Sequence, residues 1–284
     1  MTATILTTAT CPLCGGTSHA TIKTVGAVSL LGCAGCSLVF IPPGGAQGDK
    51  EQYETDATSP TSYYESTRAA DLITFADRVA RIEKHAPPGR LLDVGCNIGT
   101  FLEVAGERGW SAEGVDPKPA AQTAGSRRGV RITRGWFESS DALLQGGFDV
   151  VHIGDVIEHV FDPVGFLRVA RRALRPGGLL AVLTPNFSSR LARMFQVKPR
   201  EHVLYFTEPT IRRAIEAAGF EVVAIDVVTR LRDIANMERG TSLGGLGKVV
   251  ARTLRLTRTA GLVARLLYAT AGDELLAFAR ARPG

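Results

Sequence analysis

Residues 91–101 read LLDVGCNIGTF. An apolar run ends in Asp93, and Gly95 and Gly99 then bracket Cys96, Asn97 and Ile98. Glycine lets a backbone turn sharply and come close to a ligand without a side chain in the way. The stretch predicts a strand that turns tightly into a helix and leaves backbone amides facing a ligand.

From residue 90 onward strand and helix patterns alternate. RLLDVG (90–95), AEGVDP (112–117), VRITRG (130–135), FDVVHIG (148–154) and GLLAVLT (178–184) read as strands. Most lack in–out alternation, as strands buried on both faces of a parallel sheet do. TFLEVAGERG (100–109), PAAQTAGSRR (119–128) and DPVGFLRVARRAL (162–174) read as the helices between them, and GFEVVAIDVV (219–228) and DELLAFARAR (273–282) as two further strands. The pattern predicts a doubly wound α/β domain with its ligand at the carboxyl ends of the strands.

The glycine loop is not a dinucleotide fingerprint. G-x-G-x-x-G requires glycines where this chain has Asn97 and Thr100. Asp93, two residues before Gly95, would repel a pyrophosphate and suits a cationic group instead.

Asp93-Val94-Gly95-Cys96-Asn97-Ile98-Gly99 resembles the first motif, D-x-G-x-G-x-G, of class I S-adenosylmethionine (SAM)-dependent methyltransferases. SAM carries an ammonium and a sulfonium and no phosphate. The resemblance implies that Asp93 helps hold its amino-acid end, while Gly95, Cys96, Asn97 and Gly99 bring the backbone close. Asn97 replaces the family's middle glycine, and Asn tolerates positive φ better than most residues. Asp116, 23 residues after Asp93 in GVDPKP, takes the place of the acid that binds ribose hydroxyls, with Pro117 beside it. GWFESS places Trp136, Phe137 or Glu138 at the adenine, and FDVVHIGDVIEHVFDP, LRPGG and TPN match later motifs, with Asp155 on the cofactor side. The resemblance spans residues 85–228. It implies a seven-stranded Rossmann-like sheet whose last strand returns antiparallel.

Within that family the chain resembles the ubiquinone-pathway O-methyltransferases and their small-molecule relatives. These share a Glu-His after the fourth strand, here Glu158-His159, and a later His…Phe-Thr element, here His202 in EHVLYFT. The resemblance implies that Glu158, His159 and His202 orient the acceptor or act as base. Some relatives, including small-RNA terminal 2′-O-methyltransferases, bind a divalent metal at such motifs, and Asp155, Glu158, His159 and His202 would be that set here. The acceptor then expected is a hydroxyl of a small molecule or sugar, in secondary-metabolite or glycan biosynthesis. The alternatives are an RNA acceptor or C- or N-methylation of a small molecule.

Before this domain stand two C-x-x-C pairs, Cys11–Cys14 and Cys33–Cys36, with eighteen residues between them. Such spacing predicts a zinc ribbon over residues 1–45, with a structural ion held by four thiolates. Two disulfides or four unrelated thiols are the alternatives. MTATILTTAT lacks the basic and apolar regions of a signal peptide, so a cytoplasmic location and reduced thiols are expected. Lys23 is the only charged residue among residues 1–48, which disfavours nucleic acid as the ribbon's partner.

Residues 46–88 read as a Pro- and Gly-rich linker followed by a capping helix, with Leu72, Ile73, Phe75, Ala76, Val79 and Ile82 at helical spacing. The methyltransferase domain is then 89–284. Within it, 229–272 reads as a basic amphipathic helical insertion, free of acids from Arg239 to Gly272 and carrying six bases there. It would roof the acceptor pocket, join a homodimer or touch anionic lipid. No apolar run is long enough to span a bilayer. The net charge of +5 across 284 residues excludes little.

Overall fold

The computed structural model describes residues 9–44, 61–231 and 272–282. The cysteine-bearing segment folds into a hairpin, β1 (His19–Val25) and β2 (Val28–Cys33), followed by a short β3 (Val39–Phe40). Helix α1 (Thr61–Ile82) leads into β4 (Arg90–Val94), α2 (Thr100–Glu107), β5 (Ser111–Asp116), α3 (Pro119–Arg128) and β6 (Arg131–Arg134). Next come α4 (Asp141–Leu144), β7 (Phe148–Gly154), α5 (Pro163–Ala173), β8 (Leu174–Pro185) and α6 (Arg190–Phe195). The chain continues with β9 (Leu204–Tyr205), α7 (Glu208–Ala217) and β10 (Phe220–Val228), and β11 (Glu274–Ala281) is the last described element.

Seven strands form one sheet in the order β10-β11-β8-β7-β4-β5-β6. The five from β4 to β8 are parallel, and β11 runs antiparallel between β8 and β10. This is a Rossmann-like sheet, with the antiparallel return that the resemblance implied. From β4 the chain runs outward through β5 and β6, then comes back to β7 on β4's other side. The crevice for a ligand therefore opens at the carboxyl ends of β4 and β7.

Both faces of the sheet are covered, which explains the continuous apolar runs. Leu91, Val150, Leu179 and Phe278 pack with Val79, Ile82, Phe101 and Trp110 on one face. Leu92, Val151, Leu180 and Val182 pack with Phe166, Leu167, Ile211 and Ile215 on the other. One strand starts earlier than its apolar run. Leu174 pairs with Phe148, the register then slips through Arg175–Gly178, and Val150 pairs with Leu179.

The capping helix packs Leu72, Phe75, Ala76, Val79 and Ile82 of its expected face on the core and departs from it at Ile73. Ile73 is 58% exposed, while Thr67, Asp71, Thr74 and Arg78 are buried together with Val79 and Ile82. The apolar face is thus joined by a buried polar stripe, of which apolar periodicity gives no sign.

The N-terminal hairpin is not a separate layer. Its sheet has the order β1-β2-β3-β9, so the fourth strand comes from the segment after His202. Leu31, Leu38 and Phe40 share one core with Ile157, Val203, Leu204 and Phe206. Residues 1–8 and 45 of the expected ribbon, 46–60 of the expected linker and 232–271 of the expected basic insertion lie outside the described residues. Among the described residues, no helix is long and apolar enough to cross a membrane.

Candidate active site

The loop after β4 takes the form its sequence requires. Gly95, Asn97 and Gly99 all have positive φ, at 76°, 46° and 82°. Asn97 thus adopts the left-handed conformation that glycine has in the usual motif. A side chain at Gly95 would clash with Val156, so the loop presses against the segment after β7.

Asp116 holds this loop from the end of β5. One carboxylate oxygen accepts the backbone N–H of Asn97 and the other that of Lys118, each at 2.9 Å. A carboxylate has about four acceptor positions, so roughly two remain for hydroxyls. Burial raises its pKa and the two N–H groups oppose the rise. Pro117 sits between Asp116 and Lys118 and begins the turn into α3. The Lys118 ammonium lies 5.7 Å from the ring centre of Tyr64, so the start of α1 reaches this loop.

Asp93 sits opposite His152 across the β4–β7 ladder. His152 Nδ1 donates to Asp93 Oδ1 at 2.7 Å, and the imidazole stacks on Phe101 with ring centres 4.2 Å apart. Burial raises the Asp93 pKa, against the pull of His152. His152 lies within an apolar strand pattern, and the ladder register makes it the partner of Asp93.

Two expected cofactor residues turn inward. The Cys96 thiol is buried against Gly114, in a small cluster with Leu102, Ala121 and Ile132, so its backbone is what it offers a ligand. Phe137 lies in the core, edge-on to Phe166 at 5.8 Å.

The segment after β7 carries the second group. Asp155 has φ 54°, and its Oδ2 accepts from Arg230 Nη1 at 3.2 Å. Arg230 also donates to Asp71 of α1 at 2.8 Å. Below this, the fully buried Arg78 donates to Glu274 at 3.0 Å and to the Thr229 carbonyl at 2.8 Å. Glu274 is pushed up to about 7 by burial and by the charge of Asp155, with Arg78 pulling the other way. Sequence patterns gave no sign of this network, whose key pair is 196 residues apart.

Glu158, His159 and His202 converge. Their donor atoms all lie within 4.8 Å of one another. Asp155 faces Arg230, so the expected set of four becomes this set of three. Thr184 Oγ1 donates to Glu158 Oε2 at 3.0 Å, and Glu158 Oε1 is buried with no protein partner. Burial and the Asp155 charge raise the Glu158 pKa well above its ordinary range. His159 Nδ1 donates to the Glu201 carbonyl at 2.7 Å, which leaves Nε2 as an acceptor. His202 stands edge-on at 4.9 Å. Burial lowers both imidazole pKa values, that of His202 further. Both rings are therefore neutral near pH 7.

The four N-terminal cysteines also meet. Cys11 and Cys36 sulfurs are 3.5 Å apart, as are those of Cys14 and Cys33, and all four lie within 4.8 Å. Thiolates around a tetrahedral zinc with bonds of 2.3 Å stand roughly 3.8 Å apart. Disulfide sulfurs would be bonded at about 2.05 Å. The set fits an ion.

A family profile described as a methyltransferase domain matches residues 64–225. The chain belongs to this family, and its fold is that of the class I SAM-dependent methyltransferases. Ubiquinone biosynthesis O-methyltransferases are among its relatives. That of Methylobacterium nodulans is 32% identical over 152 residues, covering 47% of this chain and 60% of the relative. That of Caulobacter sp. strain K31 is 33% identical over 126 residues, covering 42% and 50%. The match thus spans only half to three-fifths of those relatives. A SAM-dependent methyltransferase of Archaeoglobus fulgidus superposes with a TM-score of 0.54 at 18% identity, covering 77% of this chain and 99% of that one. A Thermotoga maritima protein described as a possible histamine N-methyltransferase gives 0.53 at 19%, covering 77% and 95%. At these identities the structural matches speak for the fold alone.

Proposed function

We propose that the protein methylates a hydroxyl of a small molecule, using Glu158, His159 and His202 on the acceptor side. The observation that carries this is the convergence of those three groups on the segment next to the cofactor loop. The ubiquinone-pathway relatives support oxygen as the acceptor atom. A sugar hydroxyl fits the same chemistry.

SAM supplies the methyl group on a sulfonium leaving group, and the displacement is in line. The chain's part is alignment and proton removal. Asp93 would hold the ammonium, the side-chain-free positions of the loop at Gly95 and Gly99 would let the amino-acid end come close, and Asp116 would take the ribose hydroxyls. His159 Nε2 receives the acceptor's proton, because Nδ1 is fixed as donor by the Glu201 carbonyl. Burial lowers its pKa, so the ring is neutral at neutral pH. His202 packs beside it and limits its rotation.

A second reading rests on Glu158 Oε1, a buried oxygen without a protein partner. Glu158, His159 and His202 would hold a divalent cation there, and the cation would supply Lewis acidity toward the acceptor oxygen.

Phenolic and sugar hydroxyl acceptors would be screened with methyl-labelled SAM, with and without a chelator. A labelled methyl ether formed in both conditions supports the base. Formation only with added magnesium or manganese supports the cation. Label on nitrogen or carbon alone contradicts both.

A further inference from the structure

The third strand of the N-terminal module is only two residues long. Such a short strand does not hold its place without help. Cys36 lies three residues before Val39. The Cys33 N–H bonds the Leu38 carbonyl at 2.9 Å and the Ser37 N–H bonds the Cys33 carbonyl at 2.8 Å. The cysteine turn therefore sets the direction in which β3 leaves.

β3 ends on the acceptor segment. Val39 pairs with Tyr205 and Phe40 with Leu204. The Ile41 N–H then bonds the Val203 carbonyl at 2.8 Å, while the Val203 N–H bonds the Glu158 carbonyl at 2.8 Å. Val203 is thus held from both sides. One partner belongs to the cysteine module and the other is Glu158 itself, and the neighbour of Val203 in the chain is His202. No comparable backbone tie from this module to the loops of Asp93 or Asp116 exists among the described residues.

We propose that Cys11, Cys14, Cys33 and Cys36 bind one zinc ion, and that this ion, acting through the β3–β9 ladder, fixes the position of the Glu158–His159–His202 cluster. The ion is then part of the acceptor side although it touches no acceptor. Each thiol gives up its proton on binding, and the four thiolates fill every position of the tetrahedral ion, which leaves none open for chemistry. Ile41, Val203 and the β3 backbone are positioning elements. The proposal rests on the reading of that cluster as the acceptor side.

The test uses the full chain. Metal content is measured on the purified protein, and the ion is then removed with a thiol-directed mercurial and a chelator. Amide hydrogen exchange is followed in segments 39–41, 157–159 and 200–206, with 90–99 and 111–116 as reference, and SAM binding is titrated in parallel. One zinc per chain is expected. Its removal should speed exchange at 157–159 and 200–206 by about tenfold, the size expected for losing a supporting hydrogen bond. The reference segments and the affinity for SAM should stay unchanged. Ile41→Pro separates the tie from the ion, because it removes the N–H that bonds Val203 and leaves every cysteine in place. It should retain zinc and show the same faster exchange.

The inference is overturned if the folded protein carries no zinc and takes up no cobalt at the thiolates. It is also overturned if exchange at 157–159 and 200–206 is the same with and without zinc. Absence of SAM binding in the folded protein contradicts the function proposed above instead, and the exchange comparison stands apart from it.

Discussion

The cofactor side and the acceptor side are built in different ways. On the cofactor side Asp93, the glycine loop and Asp116 fall within 24 residues, and the loop is stapled by hydrogen bonds from Asp116 to its own neighbourhood. On the acceptor side Glu158 and His159 meet His202 from a distant segment, and the ladder to β3 adds residues near position 40. The first is a local structure that any such sheet presents. The second is assembled from three parts of the chain, one of them held by a cysteine module. The half proposed for the methyl donor is thus mostly local, with His152 of β7 as its distant support, and the half proposed for the acceptor depends more on what surrounds it.

The sharpest way to test that separation is to remove the base. His159→Gln should lower kcat by roughly 10²–10⁴-fold on any hydroxyl acceptor the protein turns over. Calorimetry should show its affinity for SAM unchanged. A parallel loss of SAM affinity would mean the two halves are one unit.

The second test acts on the cofactor half. His152→Phe keeps a ring against Phe101 and removes the donor to Asp93. A hydrogen bond to a charged group contributes about 1.5–3 kcal/mol, so SAM should bind roughly tenfold or more weakly. Unchanged binding would show that Asp93 needs no support from His152.

The two halves should also respond to pH in opposite directions. His159 and His202 have pKa values lowered from 6.5 by burial. Below pH 6.5 the unfolded chain takes up protons that the folded chain refuses, so these groups cost stability as pH falls. Asp93 and Asp116 have pKa values raised from 3.8 by burial. The folded chain keeps those protons longer, so these groups cost stability as pH rises above 3.8. Urea unfolding across this range should show His159→Gln losing less stability than the wild type on the acid side. A variant with the same acid slope would remove His159 from that balance.

The smallest expected effect is at Asn97. Asn97→Gly restores a residue with no penalty at positive φ, so SAM affinity should change by less than about threefold. A large loss would mean that the Asn97 side chain itself contacts the cofactor.

Most of the sheet was readable because its strands are buried on both faces and its loops carry their own glycines and acids. Asp116 and the left-handed Asn97 follow from short-range rules. What could not be read depends on register and burial. His152 becomes the partner of Asp93 only once β7 is laid beside β4. Arg78 sits on a helix stripe whose polar residues pair with Thr229 and Glu274, far along the chain. Phe137 looked like a cofactor contact because it follows the third strand of the parallel series, yet it fills the core beside Phe166. The link from β3 to β9 joins two short segments that carry no pattern of their own.

One measurement bears most directly on the account: calorimetric titration of SAM into the wild-type protein and into Asp116→Ala. One SAM per chain is expected for the wild type. Affinity should fall by about tenfold or more when the carboxylate that holds the loop is removed. A folded wild type that takes up no SAM would contradict the reading of this loop, and with it the chemistry proposed for the acceptor side.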